Sequence, residues 1–340
     1  SQQTLRRVTE RLDEFLMTAI NFRELFGRLA PDGRLTSDDF PQVFQQLWAT
    51  VESRPELSYI GVGIAETGEY AMVRSLPGEP LIVRMYVRDT EVGPEIRDYL
   101  PTVDGLKPTA QTSWTNSGNP RDTYHLKLRP FYMQAAEARR GVWTDSYQFW
   151  GGTDRGEVAG VTYAHPVYDA AGQLVLVWDI DLELTVLTRF LERTSGQIPG
   201  RVLIVERRRD GSWRLLAESP AREKHRAVAE VFAAREFLRR IPTDAAADAT
   251  DEGEMSFDSP DGQRWRVAYA ALRGPDRPEW LIAQVWPADG VMHAESFSDW
   301  QFLAMFAGVG LIATLLAWRV SNGVSAPVQT LEQEARLLAA

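Results

Sequence analysis

GVWTDSYQFW (Gly141–Trp150) and YAHPVYDAAGQLVLVWDIDLELTVL (Tyr163–Leu187) are the stretches on which the reading of this 340-residue chain turns. β-Branched and aromatic residues recur through them, and they divide with their neighbours into strand-like runs, WTDSYQFW, VAGVTYAHPVYD and QLVLVWDID. Asp169-Ala-Ala-Gly172 between the last two predicts a hairpin turn. A helix is expected over Leu182–Arg193, with Asp181 as its better N-cap candidate.

Upstream, Leu5, Val8, Leu12, Phe15, Ala19, Phe22 and Phe26 recur in steps of three and four, the stripe of one long amphipathic helix. Such a stripe needs a partner, either the body of the same domain or the equivalent helix of a second subunit. Gly27–Asp39 breaks the pattern, and a second helix is predicted over Phe40–Glu52. LSYIGVGIA, EYAMVRSL and PLIVRMYVRD then read as an antiparallel meander. The glycine-rich run Gly61–Gly68 is not a phosphate loop, because no helix N-terminus follows it to meet a phosphate. A polar loop is read over Thr112–Asp122 and a helix over Pro130–Arg140. A second, smaller unit repeats this alternation of strands and helices. It has a hairpin around Asp210-Gly211, a helix over Lys224–Arg240, an acidic loop over Thr243–Glu254, then three strands in MSFDS, QRWRVAYAAL and EWLIAQVWP. Arg207, Arg208 and Arg209 read as the solvated end of that hairpin.

With 44% hydrophobic and 25% charged residues the chain can bury proper cores in two domains. A net charge of −10 and pI near 5.1 argue against nucleic acid as a partner. Without cysteine there is no disulfide, thiol nucleophile or thiolate metal site. Trp300–Trp318, WQFLAMFAGVGLIATLLAW, runs 19 residues without a charge, about 28 Å as a helix, with tryptophans at both ends and Arg319 next. That predicts a membrane span with residues 1 to about 298 periplasmic or extracellular and those after Arg319 cytoplasmic. Ser1 already lies in polar helical sequence, so an N-terminal anchor is expected to precede it.

A long N-terminal helix, two unequal α/β units and a membrane span resemble a double Cache sensor, the extracytoplasmic module of bacterial receptors, and the opening stretches are similar to that family's Trp-x-x-x-Tyr, Pro-Val-Tyr hairpin and Asp-Ile-x-Leu run. SAPVQTLEQEARLLAA resembles the first helix of a HAMP relay domain, with Pro327 and Leu331 at its helix-starting proline and first packing leucine. The resemblance implies an α+β fold of two PAS-like units on antiparallel sheets. It divides the chain into a helix and connection (1–36), a membrane-distal ligand-binding unit (37–195), a proximal unit (196–296), a transmembrane helix (297–320) and a relay helix (321–340).

The resemblance also points to YHLKLRPFY, Tyr124–Tyr132. In Cache sensors of the amino-acid-binding type a tyrosine, an arginine five residues on and an aromatic pair beyond it form the pocket with a further tyrosine and an aspartate. Tyr124, Arg129, Phe131, Tyr132, Tyr147 and Asp179 stand at those positions. The chemistry is coherent: Arg129 offers a planar fork to a carboxylate, Tyr124 a hydroxyl, Asp179 the opposite charge for an ammonium, and Tyr132 and Tyr147 walls with a π face. Each also has a plainer reading: Arg129 covering the start of the helix, Asp179 ending a strand, Tyr147 filling a sheet. Phe131 replaces the family's tryptophan and loses the indole N–H, and Gly151-Gly152-Thr153 reads as an insertion near the rim.

Catalysis finds little support. His125, His165, His225 and His293 are scattered without metal spacing, and no nucleophile elbow, Walker or Rossmann motif stands in a credible context. Asp179 and Asp181 are read as facing opposite sides of a strand, wrong for a carboxylate pair. The expectation is a homodimeric membrane receptor for a small ligand, an amino acid first, without cofactor or metal. The alternatives are a protein-interaction module with a retuned pocket, a sensor for another carboxylate or amine, and the sensory half of a larger enzyme.

Overall fold

The computed structural model describes residues 2–30, 34–54, 57–75, 80–87, 95–113, 124–149, 158–195, 198–220, 227–241, 252–260, 262–288 and 314. Apart from Thr314, the expected membrane span lies outside these residues, as do the relay helix, the Gly151–Thr153 insertion and most of the two loops read at Thr112–Asp122 and Thr243–Glu254. Among the described residues no helix is long and apolar enough to cross a membrane. The chain divides into two compact units, Ser1–Trp286 and Pro287–Ala340, and the first carries the architecture that follows.

Helix α1 (Gln2–Leu29) is followed by α2 (Phe40–Glu52), then by strands β1 (Tyr59–Ile64), β2 (Tyr70–Arg74), β3 (Ile82–Val87), β4 (Glu95–Thr102) and β5 (Gly105–Ser113). Helix α3 (Pro130–Ala138) precedes β6 (Val142–Trp143), β7 (Tyr147–Phe149), β8 (Val158–Tyr168), β9 (Leu174–Glu183) and α4 (Leu184–Thr194). The second sheet is built from β10 (Arg201–Arg207), β11 (Trp213–Glu218), β12 (Glu252–Asp258), β13 (Arg264–Ala271) and β14 (Trp280–Pro287), with α5 (Ala227–Arg240) between β11 and β12. The first sheet has nine strands in the order β5-β4-β3-β2-β1-β9-β8-β6, with β7 also on β8; the second has five, β11-β10-β14-β13-β12. This is the α+β architecture of antiparallel sheets behind a long N-terminal helix.

Several expectations need correction. The meander has five strands, since Thr112 and Ser113 end β5. β4 and β5 escape a period-two reading because most of β4 is only half-buried and both strands carry proline; Pro108 is tolerated in β5 because that strand is an edge. Helix α4 starts at Leu184, because Leu182 and Glu183 still pair with Val161 and Gly160 of β8. Asp181 is therefore no N-cap. The cap position falls to Glu183, whose side chain makes no capping bond. Glu252–Glu254, read as loop, open β12.

Strand alternation sorts the first sheet into two faces. Ile60, Val62 and Ile64 of β1, Val73 of β2 and Trp178, Ile180 and Leu182 of β9 point into the main core with α1, α2 and α4. In α1 the stripe is buried as predicted at Leu5, Val8, Leu12, Ala19, Phe22 and Phe26, with Leu16 and Ile20 beside it and Phe15 half-buried against it. The Phe26 ring stacks on Trp178 at 4.3 Å and 5°. The same helix reaches the second sheet: Asp13 takes both ends of the Arg277 guanidinium, and Arg6 meets Glu252 at 3.2 Å. Val202, Ile204, Ile282 and Trp286 continue the core along it. Phe26→Ala should cost about 3–5 kcal/mol in urea unfolding. Arg6→Ala, breaking an exposed pair, should stay within about 1 kcal/mol.

Candidate ligand-binding site

The other face of the first sheet, under α3, carries the candidate site. In β1 the residues on this face are Tyr59, Gly61 and Gly63. A Cβ on Gly61 would come within 2.2 Å of the Tyr70 hydroxyl, and one on Gly63 within 2.5 Å of Leu126. The glycines are thus notches that let Tyr70 and Leu126 lie directly on the strand. Above them Tyr124 stacks on Tyr86 at 4.4 Å and on Tyr70 at 5.2 Å, and Phe131 lies 6.0 Å from Tyr70.

Arg129 precedes Pro130, which opens α3, and the proline holds it in extended backbone (φ −75°, ψ 138°) rather than in the helix. Its guanidinium sits 5.9 Å from the Tyr124 ring and 5.6 Å from that of Tyr147, and donates to the Gln148 carbonyl at 3.4 Å. Among the described residues it forms no ion pair.

Opposite charge comes from β9. Asp179 lies across from Gly61 and Ala164, and Asp181 across from Tyr59 and Thr162. The reading that placed them on opposite faces is wrong: strand side chains repeat every second residue, so i and i+2 share a face. Asp179 is fully buried; Tyr70 donates to its Oδ2 at 2.9 Å, and its Oδ1 has no hydrogen-bond partner among the described residues. The Thr162 hydroxyl donates to Asp181 Oδ1 at 2.5 Å, so at 2.8 Å it must accept from Tyr147. Burial, reinforced by the charge of Asp181, holds the Asp179 carboxyl well above the usual carboxylate range. Burial also pushes Asp181 up to about 7, against the opposing effects of Thr162 and Arg129. Tyr70, Tyr124 and Tyr147 are raised by the same desolvation and stay neutral donors.

These groups surround a cavity of about 30 Å³. Of the residues expected from sequence, Tyr124, Arg129, Phe131 and Tyr147 line it. Asp179 lies behind Tyr70, to which it is bonded, and Tyr132 packs into the same apolar cluster from α3 without reaching the cavity wall. Tyr59, Tyr70, Met72, Tyr86, Phe149 and Asp181 complete the lining and were not among the residues expected in the site. The signal that could have found them is the period of two: Tyr70 and Met72 face the positions opposite Gly63 and Gly61, and Asp181 follows Asp179 by two. Among the described residues no cluster of His, Asp and Glu could hold a metal ion.

No family model matches the sequence, and no curated protein matches it. Solved structures do resemble the fold. The periplasmic sensory domain of the Campylobacter jejuni chemoreceptor Tlp1 is 12% identical, covering 85% of this chain and 94% of that one at a TM-score of 0.52. A structure named Methyl-accepting Chemotaxis protein X is 16% identical over 84% of this chain and 96% of that one, also at 0.52. The ligand-binding domain of the Pseudomonas aeruginosa PAO1 amino acid chemoreceptor PctB, solved with L-Gln, is 14% identical over 89% and 95%, at 0.49. At these identities the likeness speaks for the fold alone: the chain has the fold of chemoreceptor sensor domains.

The buried carboxyls make stability depend on pH. Asp181 titrates near 7 in the folded chain and near 4 unfolded, so the native state binds the extra proton between those values. The contribution of Asp181 to stability should therefore fall as pH rises from about 4 to about 7 and then level off. Asp181→Asn should flatten that slope and gain on the order of 4 kcal/mol at most at pH 8, read from unfolding curves at several pH values.

Proposed function

We propose that this protein is the sensory part of a transmembrane signalling receptor and that the cavity above β1 and β9 binds a small zwitterion, a free amino acid first. The observation that carries the reading is the layout of charge. Arg129, without an ion pair among the described residues, stands beside two buried carboxyls, Asp179 and Asp181, inside walls of tyrosine and phenylalanine. A ligand carboxylate would meet the Arg129 fork and its ammonium the acids of β9. The sensor-domain fold supports the receptor role.

A cavity of about 30 Å³ holds a water or two, so an amino acid enters by displacing the rim. Arg129 and Tyr147 are the groups there that retain some exposure, and they move together because the cation rests on the ring. In this reading residues 37–195 bind the ligand. The unit at 196–296 relays the displacement to the Trp300–Trp318 span, and the helix at Pro327 passes it on within a homodimer of the cell membrane. The outer region is periplasmic and works by binding.

Titration calorimetry of the full chain with the common amino acids tests the site. Micromolar binding is expected, weakened roughly 10- to 100-fold by Arg129→Ala and by Asp179→Ala, the loss of a charged hydrogen bond. No heat from any amino acid with folded protein would overturn the ligand assignment and favour another small carboxylate or amine. Phe131, which offers no N–H where an indole would, is the feature that favours that second reading.

A further inference from the structure

Tyr147 belongs to the site, but the residue before it belongs to the other sheet. Ser146 is 3% exposed; its N–H donates to Glu206 Oε2 at 2.9 Å and its hydroxyl to Glu206 Oε1 at 2.5 Å. Glu206 is 2% exposed and stands on β10, opposite Trp280 of β14. On its other side the same short segment is tied to β8. The Thr144 N–H donates to the Thr162 carbonyl at 2.9 Å, and the Thr162 N–H to the Thr144 hydroxyl at 3.0 Å. Neighbouring side chains on extended backbone point opposite ways, so Ser146 faces the second sheet while Tyr147 faces the cavity and bonds Thr162.

We propose that Glu206 is a positioning residue for the ligand site: through Ser146 it sets the place of Tyr147, and through the same bonds it couples the site to the second sheet. This rests on the cavity being the ligand site. Two features argue that the clamp is more than packing. A buried carboxylate that spends both oxygens on one serine is costly where an apolar contact between sheets would cost nothing. Its target is also placed one residue from the ring that must move for a ligand to enter. Trp143, three residues before Ser146, adds a second tie, donating its indole N–H to the Asp276 carbonyl at 3.0 Å; Asp276 is held at φ 59°, in the left-handed region. The segment 143–146 is thus fastened to the second sheet at both ends. A displacement of Tyr147 by a ligand then reaches β10. By linkage, whatever favours one position of β10 changes affinity at the site.

Hydrogen exchange on the full chain, alone and with an amino acid that binds it, tests this. In Glu206→Met the side chain keeps its length and loses both acceptors that Ser146 uses. Exchange at Tyr147–Phe149 should rise roughly tenfold with β12 and β13 unchanged, and ligand affinity should fall roughly tenfold. Ser146→Ala should do less, losing one of the two bonds, and should add little to Glu206→Met. Ser146→Thr, which keeps both donors, should behave as the unaltered chain. Unchanged exchange at Tyr147–Phe149 in Glu206→Met overturns the proposal whether or not any amino acid binds. So does an equal rise everywhere, which marks a merely structural role, or an unaltered affinity in a less stable variant. If local exchange rises but no amino acid binds the unaltered chain, the coupling stands and the ligand assignment fails.

Discussion

The apolar stripe of α1 is the constraint on which the rest of the molecule depends. A helix of 28 residues reaches about 42 Å, long enough to lie along both sheets. Leu5, Val8, Leu12, Leu16 and Phe26 turn that length into one continuous core with Trp178 of the first sheet and Ile204 and Ile282 of the second. Remove the stripe and each sheet loses the cover for its inner face. Because α1, α2 and α4 occupy that face, the opposite face of the first sheet is the one left for chemistry.

What that face contains follows from close packing around notches. Gly61 and Gly63 keep β1 low enough for rings to lie across it, and Tyr70 then reaches Asp179. Two carboxyls buried side by side are unfavourable in a low-dielectric site unless something positive joins them. The nearby guanidinium is held by rings and a backbone carbonyl rather than by either acid. A guanidinium and two carboxyls are thus brought together, desolvated and only partly compensated, at one place. The core elsewhere supplies the stability that makes such an arrangement tolerable.

The junction between the sheets is polar where the core beneath it is apolar. Glu206 with Ser146, Trp143 with Asp276, and Arg209 with Glu137 at 3.1 Å hold the hairpin ends of the second sheet against the first. The three arginines at 207–209, read as solvated, are in part this joint: Arg209 also donates its backbone N–H to Asp145. Hydrogen bonds, with their fixed geometry, specify one register there more closely than an apolar seam would.

Much of the fold was legible because it is written in local periods. The three-and-four stripe marked α1, the break over Gly27–Asp39 set off α2, and Asp169-Gly172 marked the hairpin that positions β9. β4 and β5 were not legible, because half-exposed strands with proline have no period to read. The start of α4 was missed because cross-strand pairing of Leu182 and Glu183 outweighed local helix signals. In the site, the sequence by itself determined the chemical kinds: an arginine released from a helix by the proline after it, tyrosines, and acids two apart on a strand. Which groups meet was decided only by tertiary structure. Tyr70 and Asp179 are 109 residues apart and touch because antiparallel register sets β2, β1 and β9 side by side, a long-range pairing that no local spacing encodes.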